Sequence, residues 1–171
     1  LRRAVLQANQ SIYEYAKSNL DGKTMGTTLV LLYIQDGFYH CLWVGDSRIY
    51  LMRDNQLVQK TRDHSQVMDL VDQGFLHFDD AESHPLANVI TRAIGVEPDV
   101  VIDQVSGQLV PGDQFLLCSD GLTKELNNSE ISRTLQADAV SQSGLALMHS
   151  ALVRGSQDNV TCAVNKGRGA A

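Results

Sequence analysis

Three aspartates stand where an apolar run breaks: Asp46 in Val44-Gly45-Asp46-Ser47-Arg48, Asp120 in Cys118-Ser119-Asp120-Gly121, and Asp158 in Gln157-Asp158-Asn159. A carboxylate at the rim of a buried strand is suited to holding a cation when a small or polar neighbour lets the backbone approach. Hard oxygen ligands of this kind favour Mg²⁺ or Mn²⁺ over zinc, which prefers nitrogen and sulfur. Taken singly, Gly-Asp and Asp-Gly are ordinary turn pairs. The metal reading therefore depends on what surrounds them.

Those surroundings come in a fixed order. Met25-Gly26-Thr27-Thr28 is followed by Val44-Gly45-Asp46-Ser47-Arg48-Ile49-Tyr50, Thr61-Arg62-Asp63-His64-Ser65 and Asn88-Val89-Ile90-Thr91-Arg92-Ala93-Ile94-Gly95, then by Cys118-Ser119-Asp120-Gly121-Leu122 and Asp158-Asn159-Val160-Thr161. This series resembles the protein phosphatase 2C family, the metal-dependent serine/threonine protein phosphatases, in its bacterial form. The resemblance runs from about Leu1 to Val164. It implies an α+β fold, an antiparallel β-sandwich flanked by helices, and hydrolysis of phosphoserine or phosphothreonine in proteins by metal-bound water. Two ions, Mn²⁺ or Mg²⁺, about 3.5 to 4 Å apart would activate that water and offset phosphoryl charge.

Residue by residue, the resemblance places Asp120 and Asp158 as ligands of the paired ions. Asp46 with Asp120 matches a third ion position found in bacterial members. Asn159 would orient the loop or a metal-bound water, and Gly121 would let the backbone close on the site. Arg92 is expected to form an ion pair holding the flap beside the active site, since the family's phosphate-binding arginine belongs to an opening strand. That strand, and the next one ending in Asp-Gly-His-Gly or Asp-Gly-Met-Gly, are not found among these 171 residues. The chain thus reads as the C-terminal portion of a catalytic domain, residues 1–165, with a tail at 166–171. It is expected to lack part of the metal site and to be inactive alone. The partners implied are phosphorylated proteins and an opposing serine/threonine kinase. The rival reading is a non-catalytic phosphatase-like module that binds a partner without completing a metal centre.

Other residues take plainer readings. His64 is expected to make a structural hydrogen bond, because the family's general-acid histidine lies in the Asp-Gly-His turn. Gly26, Thr27 and Thr28 suit close strand packing, since no Gly-x-x-x-x-Gly-Lys pattern exists. Trp43 reads as core. Cys41, Cys118 and Cys162 form no Cys-x-x-Cys pair and sit among apolar residues, where free cysteine packs as a small hydrophobe. A reducing, cytoplasmic setting is expected. A net charge of −6 with scattered basic residues argues against nucleic acid. With 43% hydrophobic and 20% charged residues the composition is globular. No run approaches the roughly 18 apolar residues of a membrane span.

The elements that must position these residues follow from periodicity. Ala4, Val5, Ala8, Ile12, Tyr15 and Ala16 share one face of an opening helix. Thr27–Ile34 reads as a strand buried on both faces, turning at Gln35-Asp36-Gly37 into Phe38–Val44. Ile49–Arg53 and Leu57–Thr61 form a second hairpin across Asp54-Asn55. A helix is expected over Gln66–Gln73 with Gly74 after it, and Asp79-Asp80 would begin a short one. Strands are expected at Val100–Val105, Gln114–Cys118 and Val160–Val164. Ser129 would cap a helix over Glu130–Leu135, followed by a longer one over Ala139–Val153.

Overall fold

The computed structural model describes residues 1–167 apart from Glu82 and Asp138. They form two compact units. The first comprises Leu1–Leu29, Leu42–Asp46 and Arg62–Asp103, and the second comprises Val30–Cys41, Ser47–Thr61 and the chain from Gln104 onward.

The second unit carries all or most of every strand. Its organising element is β3 (Arg48–Arg53), whose consecutive apolar residues Ile49, Tyr50, Leu51 and Met52 alternate between two cores. Across the Asp54-Asn55 turn, where both residues have positive φ, β3 pairs antiparallel with β4 (Gln56–Gln59). On its other side it pairs with β6 (Gln114–Cys118), which pairs with β7 (Cys162–Lys166), giving the order β4-β3-β6-β7. A second sheet has the order β1-β2-β5, from Leu29–Gln35, Phe38–Val44 and Asp103–Gln108.

Tyr39 and Cys41 meet Ile49, Leu51 and Phe115 between the two sheets. On the opposite face of the four-stranded sheet, Tyr50, Met52, Leu116 and Cys118 meet an apolar set from the helices. Leu122 comes from α3 (Asp120–Thr123), Ile131 and Leu135 from α4 (Asn128–Ala137), and Leu147 and Ala151 from α5 (Val140–Val153). This is the antiparallel sandwich with flanking helices that the sequence suggests.

In the first unit α1 (Arg2–Asn19) buries Val5, Asn9 and Ala16. Asn9 is a polar residue used as a clamp. Its Nδ2 donates to the carbonyls of Glu97 and Pro98 at 3.0 Å each, and its Oδ1 accepts from Gly95 N–H at 2.7 Å. A Cβ on Gly95 would come within 2.2 Å of Ile12, so glycine is what lets the helix sit this close. α2 (Gln66–Asp72) starts at Ser65, whose hydroxyl accepts from Met68 N–H. Among the described residues no helix is long and apolar enough to cross a membrane.

Several local expectations shift. β1 is an edge strand, half-buried at first and exposed from Tyr33 on, rather than buried on both faces. Ala4, Ala8 and Tyr15 are exposed, and the packed stripe of α1 runs through Asn9 instead. β5 begins three residues later than expected and β7 two later, so Lys166 belongs to a strand. Residues 168–171 of the expected tail lie outside the described residues. Asp79-Asp80 closes a short 3₁₀ turn, Phe78–Asp80, capped by His77. Asn127, not Ser129, caps α4: its Oδ1 accepts from Glu130 N–H while Glu130 Oε2 accepts from Asn127 N–H, both at 3.0 Å.

Candidate metal centre

Asp120 and Asp158 come together in the second unit. Asp120 opens α3 directly after β6, and Asp158 lies in the loop that leads into β7. Lys124 joins them: its Nζ stands 2.6 Å from Asp120 Oδ2 and 3.5 Å from Asp158 Oδ2. Burial works against the Lys124 charge, but the two carboxylates outweigh it and hold its pKa above the usual lysine value. Lys124, Glu125, Gly155, Ser156, Gln157 and Asp158 line an open cleft of about 510 Å³.

The backbone around this pair is tightly specified. A Cβ on Gly121 would lie 2.5 Å from the Asn159 carbonyl oxygen, so only glycine allows the Asp120 turn and the Asp158 loop to approach. Asn159 acts through its main chain, donating its N–H to Asp158 Oδ1 at 2.7 Å and accepting from the Ser119 hydroxyl at 3.2 Å. Ser119 Oγ in turn accepts from Thr161 N–H at 3.0 Å.

Asp46 lies in the first unit, half-buried after Gly45 at the end of β2. His64 pins that turn from two directions. Its ring Nδ1 accepts from Gly45 N–H, and its own N–H donates to the Gly45 carbonyl, both at 3.0 Å. With Nδ1 accepting, the proton sits on Nε2 and points at Asp103 Oδ2, 3.1 Å away. Burial lowers the His64 pKa, and the ring stacks on Trp43. Arg92 bonds Asp103 Oδ1 at 2.8 Å and the Val101 carbonyl at 3.2 Å, so the ion pair expected of it has Asp103 as partner. Trp43 is buried, with its indole N–H on the Arg62 carbonyl. Gly26 is close-packed, since an added Cβ would meet Val96 at 2.6 Å.

Residues 1–155 match the family model for protein phosphatase 2C. The chain belongs to that family. It is 37% identical over 162 residues to the serine/threonine phosphatase stp of Listeria welshimeri, covering 94% of this chain and 64% of that protein. It is 36% identical over 167 residues to PstP of Mycobacterium tuberculosis, covering 96% of this chain and 32% of that one. The chain thus spans less than two thirds of these relatives' length. The crystal structure of Stp1 from Staphylococcus aureus superposes with a TM-score of 0.92 at 36% identity, over 98% of this chain and 66% of that one. A structure of the PstP catalytic domain in complex with two manganese ions gives 0.84 at 34% identity, over 95% and 67%.

The family is metal-dependent, and the Asp120–Asp158 pair presents hard oxygen atoms of the kind a divalent ion takes. Both carboxylates already converge on one cationic atom, and Mg²⁺ typically takes only one or two carboxylates and completes its shell with water. The donor set fits a divalent ion. Among the described residues no group of three or more His, Cys, Asp or Glu could hold a metal, so water would complete the shell there. Sequence reasoning missed Lys124 and Asp103. The Asp120–Lys124 spacing of four was a visible signal, but only once a helical turn follows Asp120. Asp103 closes the apolar run Val100-Val101-Ile102 much as the three chosen aspartates border theirs.

Proposed function

We propose that the protein carrying these residues is a metal-dependent serine/threonine protein phosphatase, with residues 1–165 in its phosphatase portion. It removes phosphate from phosphoserine and phosphothreonine in proteins and reverses the action of a serine/threonine kinase in the cytoplasm. The observation that carries this reading is the convergence of Asp120 and Asp158 on one cation position within a phosphatase 2C fold. The two manganese ions in the related PstP structure support Mn²⁺ or Mg²⁺ as the ion, two of them in the intact domain. Bound there, such ions would lower the pKa of a water and offset charge on the phosphoryl oxygens. The chain's own part is to hold and orient: Asp120 and Asp158 bind, the Asn159 N–H fixes one Asp158 oxygen, and Gly121 lets the two loops close. His64 and Arg92 position the Asp46 turn and its neighbouring segment through Gly45 and Asp103.

The test is phosphate release from a phosphothreonine peptide by the product of the full coding sequence. Activity should require Mn²⁺ or Mg²⁺, and Asp120→Asn should lower it by about 100-fold or more. Equal turnover in chelator, or an unaffected D120N protein, would refute the assignment. The 171-residue chain by itself should be nearly inert even in excess Mn²⁺, because the family's Asp-Gly-His-Gly or Asp-Gly-Met-Gly turn is not among its residues. One observation favours the non-catalytic module: Lys124 satisfies both carboxylates without a metal. Calorimetric titration with Mn²⁺ separates the two, since only the enzyme should bind the ion.

A further inference from the structure

Cys118 on β6 and Cys162 on β7 are direct partners in the antiparallel register. The parity of the ladder decides how close they come. Ser119 N–H donates to the Thr161 carbonyl at 3.0 Å, and Gly167 N–H donates to the Asp113 carbonyl at 2.8 Å. Both rungs belong to hydrogen-bonded pairs, and such pairs alternate along an antiparallel ladder. The Cys118–Cys162 rung is therefore a non-hydrogen-bonded pair, the kind whose Cα atoms approach to about 4.5 Å, inside the 4.4–6.8 Å range that disulfides span. Both side chains face the same side of the sheet, since both pack into the core under α4 and α5. Both are reduced cysteines, Cys118 buried and Cys162 half-buried. Above them α5 carries Gly144 in mid-helix, where an added Cβ would stand 3.9 Å from Cys162 Sγ. That thiol donates to the Gly144 carbonyl at 3.4 Å.

We propose that Cys118 and Cys162 form a reversible cross-strand disulfide, a modification site that locks the strand ends bearing the Asp120–Asp158 pair. The chemistry with a peroxide balances as follows. Cys162 sulfur attacks the peroxide, giving a sulfenic acid and one water, and Cys118 sulfur then displaces the sulfenic oxygen as a second water. Two thiols lose two electrons and two protons, and the peroxide takes both. Burial raises the Cys162 pKa, so little thiolate is present and the bridge forms slowly under sustained oxidant. The next rung, Ser119–Thr161, joins the disulfide to the site, because Ser119 also holds the Asn159 carbonyl and precedes Asp120. The cross-link would fix the spacing of the two strands two residues before Asp120.

The protein as it stands is treated with hydrogen peroxide and measured by intact mass and by non-reducing peptide mapping. The expected result is a mass lower by two hydrogens and a linked peptide pair holding Cys118 and Cys162, reversed by dithiothreitol. Cys41→Ala should behave as wild type, and Cys162→Ala and Cys118→Ala should show no such loss. Oxidised wild type should melt about 5–10 °C higher than reduced. Overoxidation of Cys162 without a cross-link, or a bridge between two molecules instead, would overturn the proposal. The mass readout is independent of the phosphatase reading: a cross-link can form whether or not the aspartates bind metal. Its reach into the site is read separately, as a change in Mn²⁺ affinity between oxidised and reduced protein.

Discussion

Lys124 is the residue whose chemistry most changes how the site behaves. One ammonium faces two carboxylates, leaving a net negative pocket that still attracts a divalent ion, yet the ion must compete with a charge already in place. Lys124→Met keeps the aliphatic stem and removes the charge. The side chain is more than a third exposed, so solvent screens the effect. Mn²⁺ should then bind roughly three- to tenfold more tightly by calorimetry at moderate salt. Affinity that stays the same or falls would mean Lys124 does not compete for the pair. Little of this was legible beforehand. The aspartates stood out because each interrupts an apolar run, whereas a lysine in a polar stretch looks like any solvated side chain.

At the level of elements, α4 shows why boundaries resist a linear reading. Asn127, Asn128 and Ser129 are adjacent, and each is a competent N-cap by type. Which one caps depends on the helix phase that sends Ile131 and Leu135 into the core under the four-stranded sheet. That phase starts the helix at Asn128 and makes Asn127 and Glu130 a reciprocal pair. Arg154 at the end of α5 also pairs with Glu130, tying the helix start to its neighbour. Asn127→Ala should cost about 1 kcal/mol of stability in urea unfolding, while Ser129→Ala should stay within about 0.5 kcal/mol. The reverse ranking would restore Ser129 as the cap. The same lesson applies to β1 and β3, both continuous apolar runs. Composition cannot say which has a neighbour on each side, and it is β3 that lies inside its sheet.

For the molecule as a whole, pH acts on both units in one direction. His64 is held neutral by burial, so its folded pKa lies below the unfolded value near 6.5. Its contribution is present above that value and is lost as pH falls through it toward the folded pKa. For Asp103 burial alone would raise the pKa, but hydrogen bonds from His64 and Arg92 outweigh it and hold the carboxylate low. Asp113, whose burial is likewise outweighed by Arg53 and the Val110 N–H, behaves the same way. Their contributions are present above about pH 4 and are lost below it. Urea midpoints should therefore be flat between about pH 7 and 8, fall first near pH 6 and again below pH 4, and His64→Gln should remove the first step. A midpoint that rises from pH 7 to 5.5 would contradict a neutral His64.

The order of motifs, the turns at Asp36-Gly37 and Asp54-Asn55, most strands and the three candidate carboxylates were all readable from the chain, because alternation, helical period and turn chemistry are local properties. Which groups meet was not. Lys124 reaches Asp158 across 34 residues, and His64 reaches Asp103 across 39. The pairing of Cys118 with Cys162 depends on the register between β6 and β7. Such contacts are set by strand pairing and by the packing of helices on a sheet, which are interactions between distant segments that no local period encodes.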